Sequence, residues 1–252
     1  HLACNVLEID WSEVITTAMT FVATNHAILY NNGIPVFTDI ERDTLNIDPD
    51  EIEKNITPKT KAIMVVHYWW HACDMDRIME IAKKHNLKVI EDCAHACWGK
   101  YKGRMLWSIG DLSCFSFHGV KNMTTGDGGM LVTNNKDYYE KIKKLRWVGM
   151  DKDTFDRKAD NNYARYYNID CLWYKYHMND IAAAIWIEQF KKLEKMNKRR
   201  REITMMYNQE LWKVDRIEIP VMKWYAGHAN HNYVIKTQQR NELNEKKEKN
   251  DI

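Results

Sequence analysis

The unbroken apolar run Ala62-Ile63-Met64-Val65-Val66 constrains this chain more than any other feature. Five residues with no polar break do not suit a strand with one wet face. They suit a strand covered on both sides, and such strands belong to parallel sheets flanked by helices. Further strand candidates lie at 87–94, 112–117 and 129–133, and shorter ones at Glu13–Thr17 and 36–40. Helical patterns separate them. Residues 21–30 read as a helix closed by the Asn31-Asn32-Gly33 turn. Asp48-Pro49-Asp50-Glu51 reads as a helix start, with Asp48 as N-cap and Pro49 at the first position. Residues 74–85 place Ile78, Met79, Ile81 and Ala82 on one side of a helix. The alternation predicts an α/β fold with a mostly parallel central sheet and flanking helices.

Residues 179–211 are helical in pattern and contain no Pro or Gly. Their basic run, Lys198-Arg199-Arg200-Arg201, reads as a solvated face. The highly charged tail 238–252 reads as a helix missing its partners or as a frayed end. A chain of 252 residues holds one large domain or two smaller ones. With 45% apolar and 29% charged residues it can build a core and is not disordered. A net charge of +2 gives no basis for a nucleic-acid or membrane partner. No apolar run approaches the roughly 18 residues of a membrane span, and no signal peptide is visible. The six Cys include no CxxC pair and read as reduced, mostly buried thiols.

In a parallel sheet, ligands gather at the carboxyl ends of strands. Those ends carry His67, then Asp92 and His95, then Ser116, His118 and Lys121. The loop 116–129 is polar and Gly-rich and presents one Lys. A Lys attacks carbonyls when its amine is deprotonated, which burial or a nearby cation favours. Ser116 and the loop N–H groups suit a phosphate. Taken alone, the loop reads better as surface with a solvated Lys. Asp92 ends an apolar strand, where an acid is costly to bury unless a cation meets it. A pyridinium nitrogen is such a cation, and a structural Asp capping the next loop is the alternative. Together the two segments suggest pyridoxal phosphate. A zinc site built from His67, His71, Cys73, Cys93, His95 and Cys97 is the rival, but the Cys93-Ala-His95-Ala-Cys97 spacing matches no recurrent ligand pattern. No metal ligand is assigned.

At this point the chain resembles the DegT/DnrJ/StrS family of sugar aminotransferases, which have the fold type I pyridoxal-phosphate architecture. The resemblance is carried along nearly the whole chain by residues 13–24 (EVITTAMTFVAT), 57–63 (TPKTKAI), 73–76 (CDMD), 91–96 (EDCAHA), the Lys121 loop and 174–184 (YKYHMNDIAAA). It implies that Lys121 forms the Schiff base and shuttles the proton, and that Asp92 pairs with the pyridine nitrogen. His95 would bond near the phenolic oxygen, Phe21 would stack on the ring and Ser116 would bind the phosphate. Lys175 and His177 match the element a neighbouring subunit contributes in a homodimer. His231 resembles the entry into the small C-terminal domain. The implied activity is transfer of an amino group from glutamate to a nucleotide-linked keto sugar, for amino-sugar and surface-glycan biosynthesis in the cytoplasm. A non-sugar substrate or a regulatory cofactor-binding role is the alternative. Lys121 argues against the sugar dehydratases of this fold, which carry His in its place.

The same resemblance places an aspartate-aminotransferase-like, cofactor-binding large domain at 1–212, lacking its N-terminal part. It places the beginning of a smaller α/β domain at 213–252. The family's Gly-Thr phosphate loop is expected before His1. Trp11, Trp69 or Trp70, Trp98, Trp107, Trp173 and Trp186 fall where relatives carry Gly. The chain has 10 Trp and 10 Gly, and Gly is about 4% against the usual level of about 7%. These Trp read as Gly codons, UGA, translated as Trp, with true divergence and repacked loops as the alternative.

Overall fold

The computed structural model describes residues 1–69, 71–152, 167–227 and 229–249. Its centre is a six-stranded sheet: β1 (Glu13–Thr17), β2 (Ile34–Thr38), β3 (Thr60–Val66), β4 (Lys88–Asp92), β7 (Leu112–Ser116) and β8 (Gly129–Val132), in the order β2-β1-β3-β4-β7-β8. The first five in that order run parallel, and β8 returns antiparallel along β7. Register aligns the strand ends: Val66 sits opposite Asp92, and Asp92 opposite Cys114.

The apolar run in β3 is used on both faces. Ile63 and Val65 pack with Ile52 of α3 (Pro49–Lys54) and with Met75, Ile78 and Ile81 of α4 (Met75–Lys84). Ala62 and Met64 face α1 (Leu2–Val6), α2 (Val22–Leu29) and α5 (Lys136–Leu145), meeting Ala3, Ile28 and Ile142. Alternating side chains therefore supply two cores. Each fully buried aliphatic side chain contributes about 1.5–3 kcal/mol.

The expected cap is present. Asp48 accepts from Asp50 N at 2.9 Å as the sequence pattern predicts, and the structure adds a cap at Asn179, which accepts from Ala182 N at 2.9 Å at the start of α6 (Asp180–Leu211). The second strand lies at 34–38 rather than 36–40, because it follows the register of β1 from Glu13–Ile34 to Thr17–Thr38. Pro35 is tolerated there because β2 is an edge strand. α1, the hairpin of β5 (Lys100–Tyr101) and β6 (Arg104–Met105), and α5 have no counterpart among the elements the sequence pattern predicts. Yet α5 carries a local signal: Asn135 Oδ1 accepts from Asp137 N and Tyr138 N. Within 213–252, β9 (Ala226–Gly227) pairs with β5 in a three-stranded sheet, β6-β5-β9, and the charged tail forms α7 (Arg240–Lys249). All six Cys are free thiols.

Trp11, Trp69 and Trp98 adopt φ of 54°, 52° and 71°. This is the left-handed region that a Cβ disfavours by roughly 1–2 kcal/mol and that Gly enters freely. Trp107, Trp173 and Trp186 do not share that conformation, and Trp70 lies outside the described residues. The indole N–H groups of Trp69, Trp173 and Trp186 are buried without a hydrogen-bond partner, a cost polar groups rarely carry in folded cores.

Candidate active site

β1 is followed outward by β2, whereas β3 lies on its other side, so the strand order reverses between β1 and β3. Crevices at the carboxyl edge near such a reversal are where α/β sheets hold ligands. A cleft of about 520 Å³ opens along this edge, lined by Phe21, Thr24, Asp92, His95, Ser116 and Lys121 among others. The start of α2 and the aligned ends of β4 and β7 bring these six residues together from three segments of the chain.

Asp92 is the last residue of β4. Its Oδ2 accepts from Thr24 Oγ1 at 2.7 Å, and its Oδ1 accepts from Ala94 N at 3.0 Å. Thr24 is also hydrogen-bonded to Thr20 Oγ1 at 2.7 Å, one turn earlier. The carboxylate is thus fixed in orientation and keeps unused lone pairs toward the cleft. Thr24 was not anticipated from the sequence. The Thr20-x-x-x-Thr24 spacing at a helix start was its one visible signal.

Lys121 lies in the loop joining β7 to β8. The loop is closed at its base, with Phe117 N donating to Gly128 O and Thr125 N to Phe117 O. Gly126 supplies a φ of +82° there. Lys121 N donates to His118 O at 3.0 Å, while the next two residues, Asn122 and Met123, are buried. Met123 packs with Phe117 and with Leu193 of α6. The loop is therefore pinned on both sides of Lys121, against the expectation of a freely solvated surface lysine. Burial lowers the proton affinity of the Lys121 amine, and the Asp92 carboxylate partly offsets this.

His95 is pushed down to about 4, chiefly by burial and secondarily by Lys121, and its Nδ1 is buried without a partner. Its ring lies 4.8 Å from His231 in a stacked pair. Ser116 Oγ accepts from His118 N at 3.3 Å, leaving its proton available to a ligand. Phe21 caps α2 from its N-terminus and is 70% exposed, so its ring is open for stacking. Lys175 and His177 do not line this cleft. Both sit on Trp147: Lys175 Nζ is 5.5 Å from its ring centroid, and the His177 ring packs edge-on at 3.8 Å.

The donor set fits pyridoxal phosphate. The cleft offers an anion for a pyridinium, an amine for an aldehyde, a hydroxyl for a phosphate and an open aromatic ring, with the buried, unpartnered His95 Nδ1 alongside. The zinc ligands do not converge. His67, Glu91 and Cys93 lie within 4.8 Å of one another, but His71 is hydrogen-bonded to Asn46 and Lys223 N, and His95 faces the cleft. Burial raises the Cys73 and Cys93 thiols well above their usual value, away from the thiolate a metal takes.

The chain is 41% identical over 228 residues to the spore coat polysaccharide biosynthesis protein SpsC of Bacillus subtilis, covering 90% of this chain and 58% of that protein. Helicobacter pylori PseC, an aminotransferase involved in the biosynthesis of pseudoaminic acid, superposes with a TM-score of 0.85 at 29% identity, covering 97% of this chain and 66% of that one. Streptococcus pneumoniae Spr1654, in its PLP-form, superposes with a TM-score of 0.89 at 28% identity, covering 98% and 67%. The chain spans about three-fifths of the length of the curated relatives it matches. The family model of the DegT/DnrJ/EryC1/StrS aminotransferases matches residues 1–252, and the chain, whose strand ends converge on this cleft, belongs to that family.

Proposed function

We propose that the chain is the cofactor-binding part of a pyridoxal-phosphate aminotransferase that moves an amino group from glutamate to a nucleotide-linked keto sugar. One observation carries this reading: a half-buried lysine amine and an oriented aspartate line the same cleft. Bound pyridoxal phosphate supplies an electron sink for the pair left when a substrate C–H bond breaks. Lys121 is the nucleophile toward the carbonyl, because burial raises the neutral fraction of its amine. The same amine carries the proton to and from the substrate carbon. Asp92 holds a proton on the ring nitrogen, its own orientation set by Thr24 and Ala94 N. Neutral His95 hydrogen-bonds near the phenolic oxygen, Ser116 donates to the phosphate, and Phe21 covers a ring face and excludes water.

The glycan role is supported by the printed names of SpsC and PseC. A homodimer is part of the proposal: Lys175 and His177 lie away from their own cleft and would complete the partner subunit's. No described helix is long and apolar enough to cross a membrane, in keeping with a cytoplasmic setting for nucleotide-sugar chemistry. The test is borohydride reduction of the full-length protein with pyridoxal phosphate, followed by peptide mapping. The reading expects label on Lys121, and label on another lysine overturns it. Turnover of glutamate with a nucleotide-linked keto sugar separates an enzyme from a regulatory binder.

A further inference from the structure

One histidine beside the cleft has no part in the chemistry above. His231 follows β9 and reaches back toward the Lys121 loop. Its ring stacks on His95 with centroids 4.8 Å apart and planes at 29°. Its Nδ1 lies 3.0 Å from Asn122 Oδ1. Asn122, the residue after Lys121, is 4% exposed. Both hydrogens of its amide are used, one on Asn197 Oδ1 at 2.9 Å and one on Ala229 O at 2.6 Å. The oxygen facing His231 can only accept, so His231 Nδ1 must carry the proton, which selects one tautomer.

Asn197, on α6 and also buried, donates in turn to Cys97 O at 3.3 Å. Cys97 lies two residues after His95. A closed circuit results: His95, His231, Asn122, Asn197 and Cys97, then back along the chain to His95. It ties the segment after β4, the lysine loop, α6 and residues 229–231 into one frame. The Asn122 amide at the centre of the circuit is fully hydrogen-bonded, and satisfied buried polar groups rigidify a core and specify one arrangement. His95 joins the circuit through its ring face. His231 keeps this role without charging, since burial, with His95, Lys121 and Arg200 nearby, pushes it down to about 3.

We propose that His231 is a positioning residue that locks the lysine loop to His95, holding the Lys121 amine and the His95 ring at a fixed separation across the cleft. This rests on the aminotransferase reading for its consequence but not for its geometry. His231→Phe keeps a ring for stacking and removes the donor to Asn122. His231→Gln keeps a donor and removes the ring. Three measurements on the full-length protein decide the matter. In cofactor-free protein, ¹⁵N shifts of labelled histidine should show the Nδ1–H tautomer for a resonance absent from His231→Phe. Hydrogen exchange of the peptide spanning 118–125 should quicken about fivefold in His231→Phe, the loss of one buried hydrogen bond, and much less in His231→Gln. In the holoenzyme, His231→Phe should lower kcat about tenfold while KM for the amino donor changes little, as for a reacting group displaced by a fraction of an ångström. An Nε2–H tautomer, or loop exchange unchanged in His231→Phe, overturns the proposal whatever the turnover. A loosened loop in a protein that never transfers an amino group supports the anchoring and removes the aminotransferase reading instead. A loosened loop with undiminished kcat overturns the positioning role.

Discussion

Glu91 and Asp92 are adjacent on β4 and serve opposite purposes. Glu91 points into a closed cluster. Its Oε1 accepts from Gly110 N, Ser113 Oγ and Ile109 N, and its Oε2 faces His67 Nε2 at 3.0 Å. His67 Nδ1 accepts from Cys73 N, which leaves Nε2 as the donor to Glu91. Asp92 points into the cleft, holds two hydrogen bonds and keeps the rest of its capacity free. The pleat sends consecutive side chains to opposite faces. An acid whose acceptors are all engaged has nothing left for a ligand and acts as a structural staple, here between β3, β4, β7 and the 109–110 turn. An acid oriented but unsaturated is prepared for a cation.

The sharpest way to break this contrast is to exchange the outcomes. Glu91→Ala should cost about 3–5 kcal/mol of stability by leaving buried donors unpaired, measured by denaturant unfolding, while molecules that remain folded still take up cofactor. Asp92→Asn should leave unfolding nearly unchanged and lower kcat about 100- to 1000-fold, as when a preorganised electrostatic partner is removed, read in steady-state kinetics. Equal loss of stability from both variants would erase the distinction between staple and site.

Acid probes the cleft side as well, although His71, away from the cleft, is also held down to about 4 by burial. His95 and His231, on the cleft side, are held down to about 4 and about 3 in the fold. The unfolded chain therefore binds their protons first as pH falls below about 6.5. Stability is full above that value and declines as pH drops toward 4 and then 3. His231→Phe should flatten this decline in unfolding free energy measured from pH 7 to 4, and an unchanged slope would assign the decline elsewhere.

Smaller effects test the edges. Phe21→Ala should weaken cofactor retention about two- to tenfold, the worth of one aromatic contact, in a dialysis assay. Trp11 is 73% exposed with a φ of 54°, so Trp11→Gly removes backbone strain and little packing. It should raise stability by about 1 kcal/mol. UGA rather than UGG at that codon in the gene would make Gly the natural residue.

Much of the site was legible along the chain. The apolar strands pointed to burial on both faces, and the residues at or just past their ends, Asp92, His95, Ser116 and Lys121, line one cleft. The Lys121 loop taken alone pointed to a solvated surface lysine. That reading fails because Asn122 and Met123 turn inward, and their partners on α6 lie about seventy residues further along the chain. Thr24 and Asp92 are 68 residues apart, and His231 and Asn122 are 109 apart. No local period carries information over such distances.

What the sequence by itself determined is the layering of the domain and the edge of the sheet where chemistry collects, because hydrophobic periodicity and strand-end chemistry are local properties of the chain. Which acid became a staple and which stayed available, which histidine braces which, and where a tryptophan must take a glycine's backbone were decided only by the tertiary structure. Hydrogen-bond saturation and backbone strain depend on neighbours that folding alone brings together.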